Sequence, residues 1–211
     1  MNGGLALYVA LGCGVDSATA LQAGLRDRDC SAIADERVRD QCLVELLQCD
    51  GIAGERARAE CAFRDAEATG SAARCADAGD WVDDCRMHLW TASFATWAPK
   101  AAAPGHADEL AARELARFGF SPDDPRPWSA WYRWLLGRSR PLDRAACRTI
   151  SDPQRAEACL KTGLAYYDDL LNMARDRKLY PCDGSPLPAV LQYTPDPELD
   201  ALRARRSDLC P

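Results

Sequence analysis

Cys30-Ser-Ala-Ile-Ala-Asp-Glu-Arg-Val-Arg-Asp-Gln-Cys42 is followed by Cys49-Asp-Gly-Ile-Ala-Gly-Glu-Arg-Ala-Arg-Ala-Glu-Cys61, and the same framework returns as Cys147-Arg-Thr-Ile-Ser-Asp-Pro-Gln-Arg-Ala-Glu-Ala-Cys159. Each is a Cys-x11-Cys segment with isoleucine three residues after the first cysteine. The first two lie nineteen residues apart, the signature of an internal repeat, although the array is too short for a solenoid. In the third, Ser151-Asp-Pro-Gln154 reads as a capping box: Ser151 accepts from orphan amides, Pro153 stands in the first turn and Gln154 reaches back. A helix therefore starts there, with Cys147 at the end of the preceding element, Ile150 at the corner and Cys159 about two turns in. Asp35 and Gly54 mark the matching corners, Gly54 with no side chain to cap with.

A helix over 36–49 would put Cys42 and Cys49 on one face, about 10 Å apart along the axis. A disulfide needs Cα atoms about 4.4–6.8 Å apart, so these two do not pair on an intact helix. The expectation is that Cys42 reaches back to Cys30 and Cys49 forward to Cys61, which staples residues 16–69 into three helices with a stripe of Val38, Cys42, Leu46 and Cys49. Cys75 and Cys85 read as a shortened copy, with Asp80 capping a helix from Trp81. Cys182 and Cys210 remain to tie down a Pro-rich tail over 180–211. Spacing alone does not fix connectivity, and nearest-neighbour pairing is the expectation. These hairpins loosely resemble the twin-cysteine helical hairpins of coiled-coil-helix proteins, with x11 in place of x9.

The 211 residues are 47 % hydrophobic and include six tryptophans, enough apolar surface for a folded body. A formal charge of −6 argues against nucleic acid as a partner. Three lysines against many arginines, with abundant Ala, Pro and Gly, match the coding bias of a GC-rich bacterial genome. Eleven cysteines with no Cys-x2-Cys leave structural disulfides in an oxidising compartment as the reading of the sulfur.

Leu5–Leu11 is an apolar run too short to cross a bilayer, ordered like the core of a secretory signal. It ends in Ala10-Leu11-Gly12-Cys13, which resembles the lipobox of bacterial lipoproteins. That resemblance implies a signal peptide over 1–12, lipidation at Cys13 and a tether over 13–24; the helix pattern reads the remainder, 25–211, as a single helical domain. Setting Cys13 aside leaves ten cysteines, an even number. Two features depart from the pattern: leucine stands where a small residue is usual, and no Lys or Arg precedes the run.

Helices are expected over 16–32, 36–49, 55–69, 71–77, 81–98, 107–118, 128–137, 142–149, 153–177 and 197–208. The longest carries Leu160, Leu164, Tyr167, Leu171 and Ala174 on one face. No alternating strand pattern occurs. The fold class is all-α, an irregular bundle of antiparallel hairpins stapled between consecutive cysteines.

The candidate ligand surface is an acid-free segment that mixes arginine with aromatics: Arg126, Trp128, Trp131, Arg133, Trp134, Arg138 and Arg140. Indoles and guanidiniums on one short helix suit an anionic interface or a glycan. The competing expectation is that the rings bury against Trp90, Phe94 and Trp97 while the arginines pair with acids.

His88 and His106 are the only histidines, too few for a three-His metal site. His88 is expected to pack beside Trp81, and His106 to meet Asp108 or Glu109. Asp168 and Asp169 diverge by about 100° on a helix and do not form a carboxylate pair. No phosphate loop, nucleophile elbow or zinc-protease motif appears, so no cofactor, metal or catalytic residue is assigned. The expectation is a non-enzymatic, lipid-anchored scaffold or partner-binding module of the bacterial envelope, facing the periplasm or cell surface and meeting another envelope protein. Alternatives are a binder of anionic lipid, lipopolysaccharide or peptidoglycan through 126–140, and an envelope hydrolase using Glu109 or Asp168.

Overall fold

The structure is a computed structural model that describes residues 15–98 and 104–210. The signal segment 1–12 and Cys13 lie outside the described residues. Among the described residues eight α-helices follow in order: α1 (Val15–Asp27), α2 (Glu36–Leu46), α3 (Glu55–Thr69), α4 (Val82–Trp97), α5 (Pro104–Leu115), α6 (Pro125–Gly137), α7 (Pro153–Asp176) and α8 (Pro197–Ala204). Short 3-10 turns join them. Among the described residues there is no strand, only an isolated bridge between Leu142 and Tyr193. The fold is all-α. The chain divides into two compact units, one ending at Leu89 and one beginning at Trp90, within α4.

Five disulfides join Cys30 to Cys42, Cys49 to Cys61, Cys75 to Cys85, Cys147 to Cys159 and Cys182 to Cys210, with Cα separations of 5.5–5.9 Å. The three Cys-x11-Cys segments share one local geometry. The isoleucine amide donates to the carbonyl of the first cysteine at 3.1, 3.3 and 3.2 Å for Ile33, Ile52 and Ile150, and Ala78 makes the same bond to Cys75 at 3.0 Å. The turn buries each isoleucine. The next helix begins three residues after the isoleucine, so the second cysteine is its seventh residue and faces back onto the first.

Several local expectations need correction. Helix α2 stops at Leu46 because Leu47 takes a left-handed backbone, φ 58°, and Leu47 and Gln48 donate to Val44 and Leu43 carbonyls. Cys49 thus lies on its own 3-10 turn, off the stripe of Val38, Cys42 and Leu46. The cap of α7 is Asp152, not Ser151: its carboxylate accepts from Gln154 and Arg155 amides, since Pro153 at the first helical position makes the residue before it the cap. Asp80 falls inside a 3-10 turn, Gly79–Trp81, ahead of α4. The segments read as helices over 71–77 and 142–149 are 3-10 turns at Ala72–Asp77 and Arg144–Thr149.

In the N-terminal unit the disulfides are the centre of the core. Cys30, Ile33, Val38 and Cys42 pack with Ala20, Leu21 and Leu25 of α1, and Val44, Ile52 and Cys61 form a second cluster. Asp35 caps α2 by accepting from Arg37 and Val38 amides. Gly54 at the start of α3 has no side chain to do the same, and Asp40 of α2 reaches across to the amides of the N-cap and the residue before it instead. That carboxylate, 4 % exposed, accepts from Ala53 and Gly54 amides at 3.2 and 2.8 Å. A Cβ on Gly54 would stand 2.9 Å from the Asp40 oxygen, so the glycine and the remote carboxylate require each other. Asp40→Ala leaves two amides without an acceptor and is expected to cost about 1–3 kcal/mol, with Asp40→Asn losing less. Urea unfolding followed by circular dichroism measures this, and an alanine variant as stable as the parent contradicts it.

In the C-terminal unit, α7 presents Cys159, Gly163, Tyr167, Leu171 and Ala174 to the interior, while Leu160 and Leu164 are half-buried. The inner stripe therefore runs one position off the expected one at its N-terminal end. Against Gly163 lies Arg144, 3 % exposed, whose Cγ would be 2.8 Å from a Cβ there. Its guanidinium donates to the Leu160 carbonyl and pairs with Asp196 and Glu198, fastening the start of α8 to α7.

Cys182 and Cys210 are both exposed, whereas each other bridge has at least one buried cysteine. Limiting reductant followed by alkylation and peptide mapping is expected to label Cys182 and Cys210 first. Earlier labelling of Cys30 or Cys42 would contradict that order.

Candidate functional site

The candidate surface is carried by α6. Asp124 caps it, accepting from the Arg126 amide, and the same carboxylate holds the Arg126 guanidinium at 2.8 Å. The helical period then turns residues 128, 131 and 132 inward together. Trp128 is 5 % exposed, and Trp131 and Tyr132 are fully buried. Trp128 donates from Nε1 to the Pro122 carbonyl at 2.8 Å, which fixes the ring as an internal strut. Trp131 sits edge-on to Phe94 at 5.3 Å, tilted against Trp97 at 4.9 Å and stacked on Trp134 at 5.3 Å. Trp90 anchors the cluster by donating to the Pro127 carbonyl at 2.9 Å.

An Arg and Trp face offered to solvent is therefore not what α6 presents. Trp128 and Trp131 are core, because three apolar rings at i, i+3 and i+4 have to face the neighbouring helices. Arg126 is held by Asp124, and Arg133 pairs with Asp169 at 2.6 Å beside the Tyr166 ring. Only the C-terminal end keeps the expected character: Trp134 is half-buried with the Arg138 guanidinium 4.5 Å over its ring, and exposed Arg140 bonds a backbone carbonyl.

Beneath this helix lies a polar cluster that pattern reading missed. Tyr132 donates to Asp108 Oδ1 at 2.9 Å, and Arg155 approaches Asp108 Oδ2 at 3.2 Å while lying 5.1 Å over the Trp128 ring. Burial pushes the Asp108 carboxyl up, opposed by Arg155 and Tyr132. Burial, with Asp108 second, pushes the Tyr132 phenol far above its ordinary value, so it stays a donor. The available clue was Asp108 at a position helically in phase with Ala111 and Leu115, both buried. With Asp108 and Tyr132 buried and Arg155 only partly exposed, the cluster acts as an internal polar tie between α5, α6 and α7.

The other candidates are dispersed. Asp168 pairs with Arg206 and Asp169 with Arg133, so the adjacent carboxylates diverge. His106 lies 3.8 Å from Glu109, both half-exposed, while Asp108 turns inward. His88 contacts Glu67 at 3.2 Å and the Phe63 ring at 5.6 Å. A shallow depression of about 290 Å3 lies between α7 and α8, lined by Lys161, Leu164, Ala165, Asp168 and Leu202. Its one carboxylate, Asp168, is held by Arg206, and its one amine, Lys161, is paired with Glu157. Among the described residues no group of three His, Cys, Asp or Glu side chains is placed to hold a metal, and no helix is long and apolar enough to cross a membrane.

The tail is clasped by charge as well as sulfur. Arg206 bonds Asp168, Asn172 and Asp208, and Arg175 reaches Asp208 at 2.7 Å. Arg206 first, then Arg175, holds the Asp208 carboxyl well below the usual carboxylate range. A carboxyl depressed in the folded state stabilises above its unfolded pKa, about 3.9, and that contribution is lost as pH falls through the folded value. Amide exchange at Ser207–Leu209 is therefore expected to accelerate, relative to intrinsic rates, only on strong acidification. Unchanged protection down to pH about 1 would contradict it.

Comparison with family models, with curated proteins and with solved structures finds no match to this chain.

Proposed function

We propose that this chain is a non-enzymatic lipoprotein of the bacterial envelope, a disulfide-stapled helical scaffold or partner-binding module. The observation that carries the reading is sulfur parity: all ten cysteines from Cys30 to Cys210 pair with a neighbour, so Cys13 is the one cysteine without an assigned partner. Five bridges favour an oxidising compartment, and a cysteine at the end of Ala10-Leu11-Gly12-Cys13 is where a lipid would be attached. The scaffold role draws support from dispersed carboxylates and histidines, each held by a structural partner, and from cores that centre on disulfides and tryptophans.

The test is expression in an exporting Gram-negative host with labelled fatty acid. Label and membrane association are expected for the parent and not for Cys13→Ala, while both keep five disulfides by unreduced mass mapping. A parent chain that carries no lipid and stays in the cytosolic fraction would refute the anchoring. A specific turnover abolished by Asp168→Asn or Glu109→Gln would refute the non-enzymatic part.

A further inference from the structure

Among the described residues the most exposed large apolar side chain is Leu179, at 48 %. It owes its position to the way α7 ends. Lys178 adopts a left-handed backbone, φ 55°, and the Leu179 amide closes the turn on the Ala174 carbonyl at 2.7 Å. An apolar residue after such a turn commonly folds back onto the last helical turn. Leu179 instead stays half in solvent, directly after Arg177 and Lys178.

Around it the carboxylates are engaged, while two neighbouring cations are not. Asp176 is paired with Arg175, Asp208 with Arg175 and Arg206, and Asp168 with Arg206, while Asp183 accepts from the Ser185 amide. Arg177, Lys178 and Arg205 are exposed and have no carboxylate within ion-pair distance among the described residues. Residues 206–210 are pinned along α7 by Arg206 to Asn172, Arg175 to Asp208 and the Cys182–Cys210 bridge. Favourable interaction with the helix macrodipole accounts for cations at the end of α7, but not for a leucine left exposed among them. Charge over the whole chain runs the same way: the sequence up to Leu89 holds nine basic and sixteen acidic residues, and from Trp90 on seventeen and sixteen.

We infer that the C-terminal end of α7 is a docking surface for an anionic lipid bilayer, with Leu179 entering the headgroup boundary and Arg177 and Lys178 meeting lipid phosphates. A protein partner needs a broad apolar centre within about 1,000 Å2 or more of buried surface. Leu179 stands alone among cations, an arrangement that a fluid surface of phosphates accommodates. The surface is preformed by a disulfide and ion pairs, so little ordering opposes docking. The inference is independent of anchoring through Cys13 and is tested without it.

The full chain carrying Cys13→Ala, with its disulfides intact, is sedimented with vesicles of phosphatidylcholine alone and of phosphatidylcholine with phosphatidylglycerol. Binding is expected only to the second kind, and to weaken with salt. With each cation near such a surface contributing about five-fold in partitioning, Arg177→Gln with Lys178→Gln is expected to lower binding about 25-fold. Leu179→Ser is expected to lower it several-fold further, and Arg138→Gln with Arg140→Gln to leave it unchanged. All five positions are exposed, and circular dichroism checks that each variant stays folded. Failure of the parent to bind anionic vesicles, equal binding to neutral ones, unchanged binding in the Arg177 and Lys178 variant, or an equal loss in the Arg138 and Arg140 variant would each overturn the inference.

Discussion

Trp131→Ala is expected to destabilise the C-terminal unit by about 3–5 kcal/mol, the range for deleting a fully buried large aromatic. The side chain is fully buried and touches the rings of Phe94, Trp97 and Trp134, so a truncation leaves a void lined by three aromatics that belong to two different helices. Its indole nitrogen is buried without a hydrogen-bond partner. That detail sets a second expectation: Trp131→Phe removes an N–H that gains nothing and keeps most of the apolar volume, so it should cost well under half as much as alanine. Guanidinium unfolding followed by near-ultraviolet circular dichroism measures both. An alanine variant within about 1 kcal/mol of the parent would mean that the aromatic cluster is not the core of this unit. Any ligand-binding loss seen in Trp131→Ala would, on this account, report on folding and not on contact.

The staples were legible in the sequence because a disulfide is a local statement here. Two cysteines twelve residues apart, with an isoleucine corner and a helix start between them, leave little freedom in how the chain returns. Helix existence was legible for the same reason, through caps such as Asp35 and periodic faces such as that of α7. What failed was positional. Ser151 and Asp152 both satisfy the rules for a cap, and only Pro153 in the first helical position selects Asp152. Leu47 gave no sign of a left-handed turn, since leucine is an unusual residue there, and α2 was read three residues too long.

The candidate surface misled for a different reason. Arginine and tryptophan on one short helix look alike whether the indoles face outward or inward, and periodicity separates the cases only if the partners are known. Trp90, Phe94 and Trp97 were at hand as partners, and the structure uses them. The Asp108, Tyr132 and Arg155 cluster was invisible because its members come from three helices. Asp40 escaped for a similar reason: its role is to hold the amides that lead into another helix, across thirteen and fourteen residues of chain.

Cys147→Ser with Cys159→Ser is expected to cost about 5 kcal/mol or more, and more than Cys182→Ser with Cys210→Ser at about 3–4 kcal/mol. The comparison is informative because two effects oppose one another. Loop entropy favours the tail bridge, whose closed loop is more than twice as long, sequence separation 28 against 12, but the advantage is only about 0.7 kcal/mol since the entropy grows as a logarithm. Burial favours the corner bridge. Cys147 and Cys159 are both fully buried, so the double variant places two hydroxyls in the interior at about 1–3 kcal/mol each where they lack partners, whereas Cys182 and Cys210 are exposed and their serines meet water. The tail also keeps its ion pairs from Arg144 and Arg206 when the outer bridge is gone. Both bridges belong to the same unit, so a single unfolding transition reports both. Equal losses, or a larger loss for the tail variant, would show that the bridges act mainly by restricting the unfolded chain and that the buried sulfur contributes little as core.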